Sequence, residues 1–73
     1  MYEKINEMLE TEITEGNWFS YTNTRCRRLF QTLHILDLLD NQNAFLANLY
    51  KLGRIYDYDV SLDDFIDFME DGL

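Results

Sequence analysis

No proline interrupts the 73 residues of this chain, and its large apolar residues recur at intervals of three and four along most of its length. Without proline every residue keeps its backbone donor, so nothing local forbids helix. The three- and four-residue spacing is that of amphipathic helices. Ile5, Met8, Leu9 and Ile13 make the first stripe, with Glu3, Glu7 and Glu10 opposite. Cys26, Leu29, Phe30, Leu33, Leu36 and Leu39 make the second, and Ile35 and Leu38 widen it into a nearly all-round apolar central helix. Asn23 or Thr24 is its expected N-cap. Asp40-Asn41-Gln42-Asn43 reads as a polar break, after which Phe45, Leu46, Leu49 and Leu52 form a short third helix capped by Asn43. Ser61 and Asp64 approximate a capping box ahead of the fourth stripe, Leu62, Phe65, Ile66 and Met69. Gly16, Gly53 and Gly72 each follow a stripe, where a left-handed residue closes many helices. The expected fold class is therefore all-α: one small domain over 1–73, with helices near 3–15, 24–40, 44–52 and 62–71 arranged as two helix–loop–helix units.

The two longer connections leave an alternative. Phe19 and Tyr21 alternate in one, Tyr56 and Tyr58 in the other, and alternating aromatics favour strands. A mostly α domain with a two-stranded β-ribbon from residues 17–22 and 55–60 is the second expectation. Setting Gly16 against Gly53 also aligns Phe19 with Tyr56, Tyr21 with Tyr58 and Thr24 with Ser61, as a decayed duplication would.

A chain of this size buries only about 60% of its unfolded surface. Cys26 is the single cysteine, so no internal disulfide can reinforce the core. The composition, with one Trp, five Tyr, five Phe and 47% hydrophobic residues, is that of a folding chain. Glu3, Glu7, Glu10 and Glu12 follow Met1, so no basic leader region and no signal peptide are expected. No apolar run approaches the ~18 residues that span a bilayer. The expectation is a soluble protein of the cytoplasm of the producing or infected cell.

The residues argue against catalysis, cofactor and metal. Cys26 and His34 lie eight positions apart, about 12 Å along one helix, too far for a thiolate–imidazole pair. Two such residues are too few for structural zinc. The stretch Asp57–Phe65 resembles the second half of an EF-hand loop entering its helix, with Asp57, Val60 and Asp64 at the fifth, eighth and twelfth loop positions. The first and third positions then fall on Gly53 and Ile55, which offer no side-chain oxygen. A degenerate EF-hand-like domain without calcium binding is the most that this implies. Arg25, Arg27 and Arg28 form the one basic cluster; they could grip phosphate, with Trp18, Phe19 and Tyr21 nearby as stacking groups. In so acidic a chain the favoured expectation is that these arginines, near a helix start, pair with Glu of the first helix or Asp of the fourth.

Charge is the feature left over. The net charge is −8, and residues 57–73 hold seven acids and no base, whereas residues 17–56 are net +3. Such a balance disfavours nucleic acid and anionic membrane and favours a basic protein surface. An ordinary soluble helix mixes signs and gains from pairs one turn apart; the fourth helix does not. Its row of Asp63, Asp67 and Glu70 or Asp71, preceded by Asp57 and Asp59, and the first helix's Glu3, Glu7 and Glu10 are the expected partner-binding residues. Phe68, off the apolar face, is expected as an exposed aromatic among them. Small acidic single-domain proteins that block nucleases, restriction enzymes or CRISPR effectors are encoded by phages and mobile elements, and this chain is similar to them in size and character. The expectation is a DNA-mimic-like inhibitor or modulator, with a homodimer left open. The alternative is an interaction or assembly module using an aromatic patch of Tyr50, Tyr56, Tyr58 and Phe68.

Overall fold

The computed structural model describes residues 2–73. The chain forms four helices and, among the described residues, no strand. Helix α1 spans Tyr2–Thr11. Helix α2 is continuous over 18–35: an opening turn Trp18–Tyr21, a wider π-helical turn Thr22–Cys26, and a regular stretch Arg27–Ile35. Helix α3 spans Leu39–Ile55 and α4 spans Leu62–Glu70. Helix α1 packs on α3, and α4 packs on both α2 and α3.

Helix α1 stops four residues short of expectation because Asn17 captures the following link. Its side-chain oxygen accepts from the Thr14 backbone N–H at 2.7 Å, and its amide donates to the Glu12 carbonyl at 3.0 Å. Asn17 then serves as N-cap residue of α2, which starts at Trp18 instead of at Asn23 or Thr24. Those two residues lie inside the π turn. The ribbon alternative fails for the same reason, since 17–22 opens a helix. Trp18, Tyr21 and Thr22 turn inward at helical spacing while Phe19 remains 59% exposed, so the alternation of Phe19 and Tyr21 was a helical pattern seen through too short a window.

The break between α2 and α3 comes earlier than the polar quartet. Asp37 is left-handed at φ 59°. Its N–H bonds the His34 carbonyl at 3.0 Å, and the Leu38 N–H bonds the Leu33 carbonyl at 2.9 Å. That pair of bonds closes α2 in a Schellman motif. Asp40–Asn43 instead form the first turn of α3, where Gln42 is buried and its Nε2 donates to the Phe30 carbonyl at 3.4 Å. One hydrogen bond of this kind suffices to place a polar residue at an inward position. Asp57, at φ 66°, closes α3 in the same manner, with the Asp57 N–H on Arg54 O and the Tyr58 N–H on Gly53 O. The residues that end α2 and α3 are thus aspartates, and only Gly72, at φ 94°, takes the left-handed role expected of the glycines.

Gly53 has a different duty. It is buried within α3, and a Cβ there would overlap Cζ2 of Trp18 and lie 2.8 Å from its Cε2. The indole lies against bare backbone, its Nε1–H donating to the Leu49 carbonyl at 3.1 Å. Tyr58 and Phe65 complete the cluster, with ring centroids 4.5 and 6.0 Å from Trp18. Around it the core gathers Ile5, Met8, Ile13, Phe30, Leu33, Phe45, Leu49 and Met69. Helix α4 begins as expected: the Ser61 hydroxyl accepts from the Asp64 N–H at 3.2 Å, and Phe65 and Met69 are fully buried.

Replacing Gly53 by Ala sets a helix-propensity gain of about 1 kcal/mol against overpacking of about 1–3 kcal/mol. Because the obstacle is a buried indole, overpacking wins. Urea denaturation of Gly53→Ala should show a lower midpoint, and an unchanged or higher midpoint would refute the contact.

Candidate protein-binding surface

Helix α4 presents two opposite faces. Phe65 and Met69 fix one in the core, which places Asp63, Asp67 and Glu70 on the other, all exposed. Successive members of this row are three or four residues apart, hence neighbours about 5–6 Å apart. None of the three is in an ion pair among the described residues. Glu3, Glu7 and Glu10 form a second exposed row on α1, on the side away from buried Ile5 and Met8. It belongs to a different helix.

The remaining expected site residues have internal engagements. Asp71 Oδ2 lies 3.4 Å from Arg27, whose Nη2 also donates to the Asp71 carbonyl at 3.0 Å. Gln31 donates to that carbonyl as well, at 2.9 Å. Asp59 meets Arg54 at 3.5 Å. Asp57 is the left-handed residue closing α3, although its side chain is exposed. The α4 row is therefore Asp63, Asp67 and Glu70, with Asp71 turned to structural use.

The basic cluster divides. Arg25 pairs with Glu12 at 3.3 Å and Arg27 with Asp71, as arginines near a helix start were expected to do. Arg28 is exposed and has no ion pair among the described residues. Exposed pairs of this kind are worth under about 1 kcal/mol each. Their consequence is one of partners: Arg25 and Arg27 are engaged with Glu12 and Asp71 and not with Asp63, Asp67 or Glu70.

Phe68 is a correction. It is half-buried, not an exposed aromatic among acids. The Phe19 ring stacks on it at 6.5 Å, and the Arg27 guanidinium carbon lies 4.9 Å from its centroid, within cation–π range. Tyr50, Tyr56 and Tyr58 are likewise half-buried against the core, and the Tyr50 hydroxyl donates to the Val60 carbonyl at 2.6 Å. Among the described residues the exposed aromatic is Phe19. Placing the helix start at Trp18 would have found it, since Phe19 then falls on the outer face.

Two further apolar surfaces escaped the sequence reading. Ile35, Leu36, Leu38 and Leu39, all assigned to the central helix, are exposed at the α2–α3 corner. A groove of about 320 Å³ runs between α3 and α4, lined by Leu46, Ala47, Tyr50, Leu62 and Ile66 with Asn43 and Lys51 at its rim.

The groups considered for chemistry are dispersed. Among the described residues, no three His, Cys, Asp or Glu side chains converge as metal ligands. Gly53–Ile55, the start of the EF-hand-like register, continue α3 instead of opening a loop. Cys26 is fully buried, and burial pushes its thiol up to about 12, partly opposed by the Arg25 guanidinium. At neutral pH it is a protonated core residue. His34 is exposed on α2. No helix among the described residues is long and apolar enough to cross a membrane.

Two outcomes follow for Cys26. A thiol reagent at pH 8 should leave the native protein unmodified and label it fully in denaturant. The folded thiol resists ionisation while the unfolded one ionises near 9.0. This contribution to stability is therefore complete below pH 9 and should fall progressively from there toward pH 12. Rapid native labelling, or stability flat across that window, would contradict the burial.

No family model, curated protein or solved structure compared with this chain matches it.

Proposed function

We propose that the chain is a small acidic inhibitor or modulator that binds another protein, occupying a basic surface the target uses for nucleic acid. A nuclease or a CRISPR effector is the kind of target meant, and a phage or mobile element the kind of source. The observation that carries the reading is the α4 row: three exposed carboxylates one turn apart, in no ion pair among the described residues, on a helix whose other face is fixed by Phe65 and Met69. Local stability favours Asp63, in the first turn, but not Asp67 or Glu70. Acids near a helix C-terminus oppose its dipole, and like charges one turn apart repel. Duplex DNA offers Lys- and Arg-lined channels a dense line of negative charge, and a preorganised carboxylate row competes for the same groups. Glu3, Glu7 and Glu10 on α1 add to the field that draws a basic partner in.

The rival reading, an aromatic interaction module, now rests on Phe19, which is 59% exposed and backed by Phe68. Both readings meet one experiment. The immobilised chain is used to capture proteins from a bacterial lysate at about 50 mM salt, far below the level at which screening shortens electrostatic reach to a few Å. A captured protein is then assayed for binding of duplex DNA with and without the chain. The charge reading expects competition with DNA. It also expects the Asp63→Asn, Asp67→Asn, Glu70→Gln variant to associate at least about tenfold more slowly, with an unchanged helical spectrum. Competition that survives this variant and disappears with Phe19→Ala would reverse the assignment.

A further inference from the structure

Leu62 and Ile66 give α4 a third side, between its buried face and its acidic row. At about 100° per residue, Phe65 and Met69 lie within a quarter turn of that side toward the core. Glu70 and Asp63 lie within a quarter turn of it toward solvent, with Asp67 next beyond them. Leu62 and Ile66 are also one wall of the groove of about 320 Å³, whose other wall is Leu46, Ala47 and Tyr50 on α3. The three carboxylates thus stand along the outer lip of an apolar groove.

The walls are set by the core. The Tyr50 ring packs on Phe65 at 5.4 Å, and its hydroxyl is already engaged with the Val60 carbonyl at 2.6 Å. Leu46 is buried and Ile66 half-buried. Between them Ala47 is exposed, and its short side chain keeps the middle of the groove open. From Asn43 to Lys51, the polar residues of the rim, the α3 wall runs about 12 Å, two turns of helix. The volume is at the lower limit of ligand pockets, which suits a few aliphatic side chains of a docking segment.

Charge selects what enters. The α4 lip carries Asp63, Asp67 and Glu70, in no ion pair among the described residues, against the single cation Lys51 on the α3 rim. A second copy would bring its own acidic lip to a twofold contact here, and like charges would face each other. A segment that sets Lys or Arg beside an aliphatic stripe satisfies both the groove and its lip. An amphipathic helix does so, with apolar anchors at i, i+3, i+4 and i+7. We infer that the element this groove receives is a basic amphipathic helix of the target protein. Its aliphatic stripe seats between α3 and α4, and its cations meet Asp63, Asp67 and Glu70. The inference rests on the charge reading of the α4 row and names the structure that the row recognises. The two contributions divide kinetically: the carboxylates speed association, and the apolar stripe slows dissociation.

Stopped-flow fluorescence with two labelled peptides tests this on the full chain. Both peptides are about 14 residues of Leu and Lys, four turns if helical. One has Leu at helical spacing, and the other has the same composition shuffled so that no stripe forms. The striped peptide should bind at least about tenfold more tightly, the worth of one buried aliphatic side chain. Ala47→Gln fills the groove without changing charge, so it should speed dissociation of the striped peptide at least about fivefold and leave association unchanged. Ala47 is exposed on a helix, and the helical spectrum should not change. Asn48→Gln, exposed on α3 away from the groove, should change neither rate. Asp63→Asn, Asp67→Asn and Glu70→Gln together should slow association. Equal binding of the two peptides, or dissociation indifferent to Ala47→Gln, overturns the inference and leaves the charge reading standing wherever the acids still govern association. Binding that depends on Ala47 while association ignores the three acids overturns the basic occupant and the charge reading with it.

Discussion

The contact between the indole of Trp18 and the bare backbone of Gly53 is what the rest of the fold depends on. Trp18 opens α2, its ring fills the space that a Cβ on α3 would take, and its N–H bonds the Leu49 carbonyl one turn earlier. Tyr58, in the link after α3, and Phe65, on α4, pack on the same ring. A single side chain thereby joins three helices and a connection in a chain with no disulfide to do so. In so small a domain each such residue bears a large share of the core.

Once Phe65 is held, the outer face of α4 is determined, and the acidic row follows from it. The partition of charge is the consequence of interest. Arg25, Arg27 and Arg54 are drawn to Glu12, Asp71 and Asp59, which stitch chain ends and links to the body. Asp63, Asp67 and Glu70 are left over. Our functional reading rests on that surplus: a scaffold held by aromatic packing carries acids that make no ion pair with it among the described residues.

The sequence made some of this legible. Helix α4 was plain because Ser61 caps it and because Leu62, Phe65, Ile66 and Met69 keep period with no interruption, and its acidic row came with it. The start of α2 was obscured because an aromatic-rich turn reads locally as strand, and its inward direction depends on Gly53, 35 positions after Trp18. Asp40–Asn43 looked like a break because polar residues rarely face inward, and only the Phe30 carbonyl makes Gln42 acceptable there. Gly53 looked like a helix stop, but Asp57 takes the left-handed conformation, as Asp37 does at the end of α2. The exposure of Phe68 was misjudged because its covers, Phe19 and Arg27, come from another helix. The exposed corner was missed because Ile35, Leu36, Leu38 and Leu39 keep helical period, and only a turn at Asp37 takes them out of the core.

The claim that the α4 acids are surplus to folding is tested most directly by the stability of the chain carrying Asp63→Asn, Asp67→Asn and Glu70→Gln, measured by urea unfolding at low and high salt. The account predicts that this variant is as stable as the wild type or more so at low salt, because relief of self-repulsion and of the clash between Glu70 and the helix dipole outweighs the small loss at Asp63 in the first turn. It further predicts that the difference shrinks as salt screens the wild-type charges. A variant less stable by more than about 1 kcal/mol, beyond what exposed charges contribute, would show that the row holds the fold together and would contradict the account.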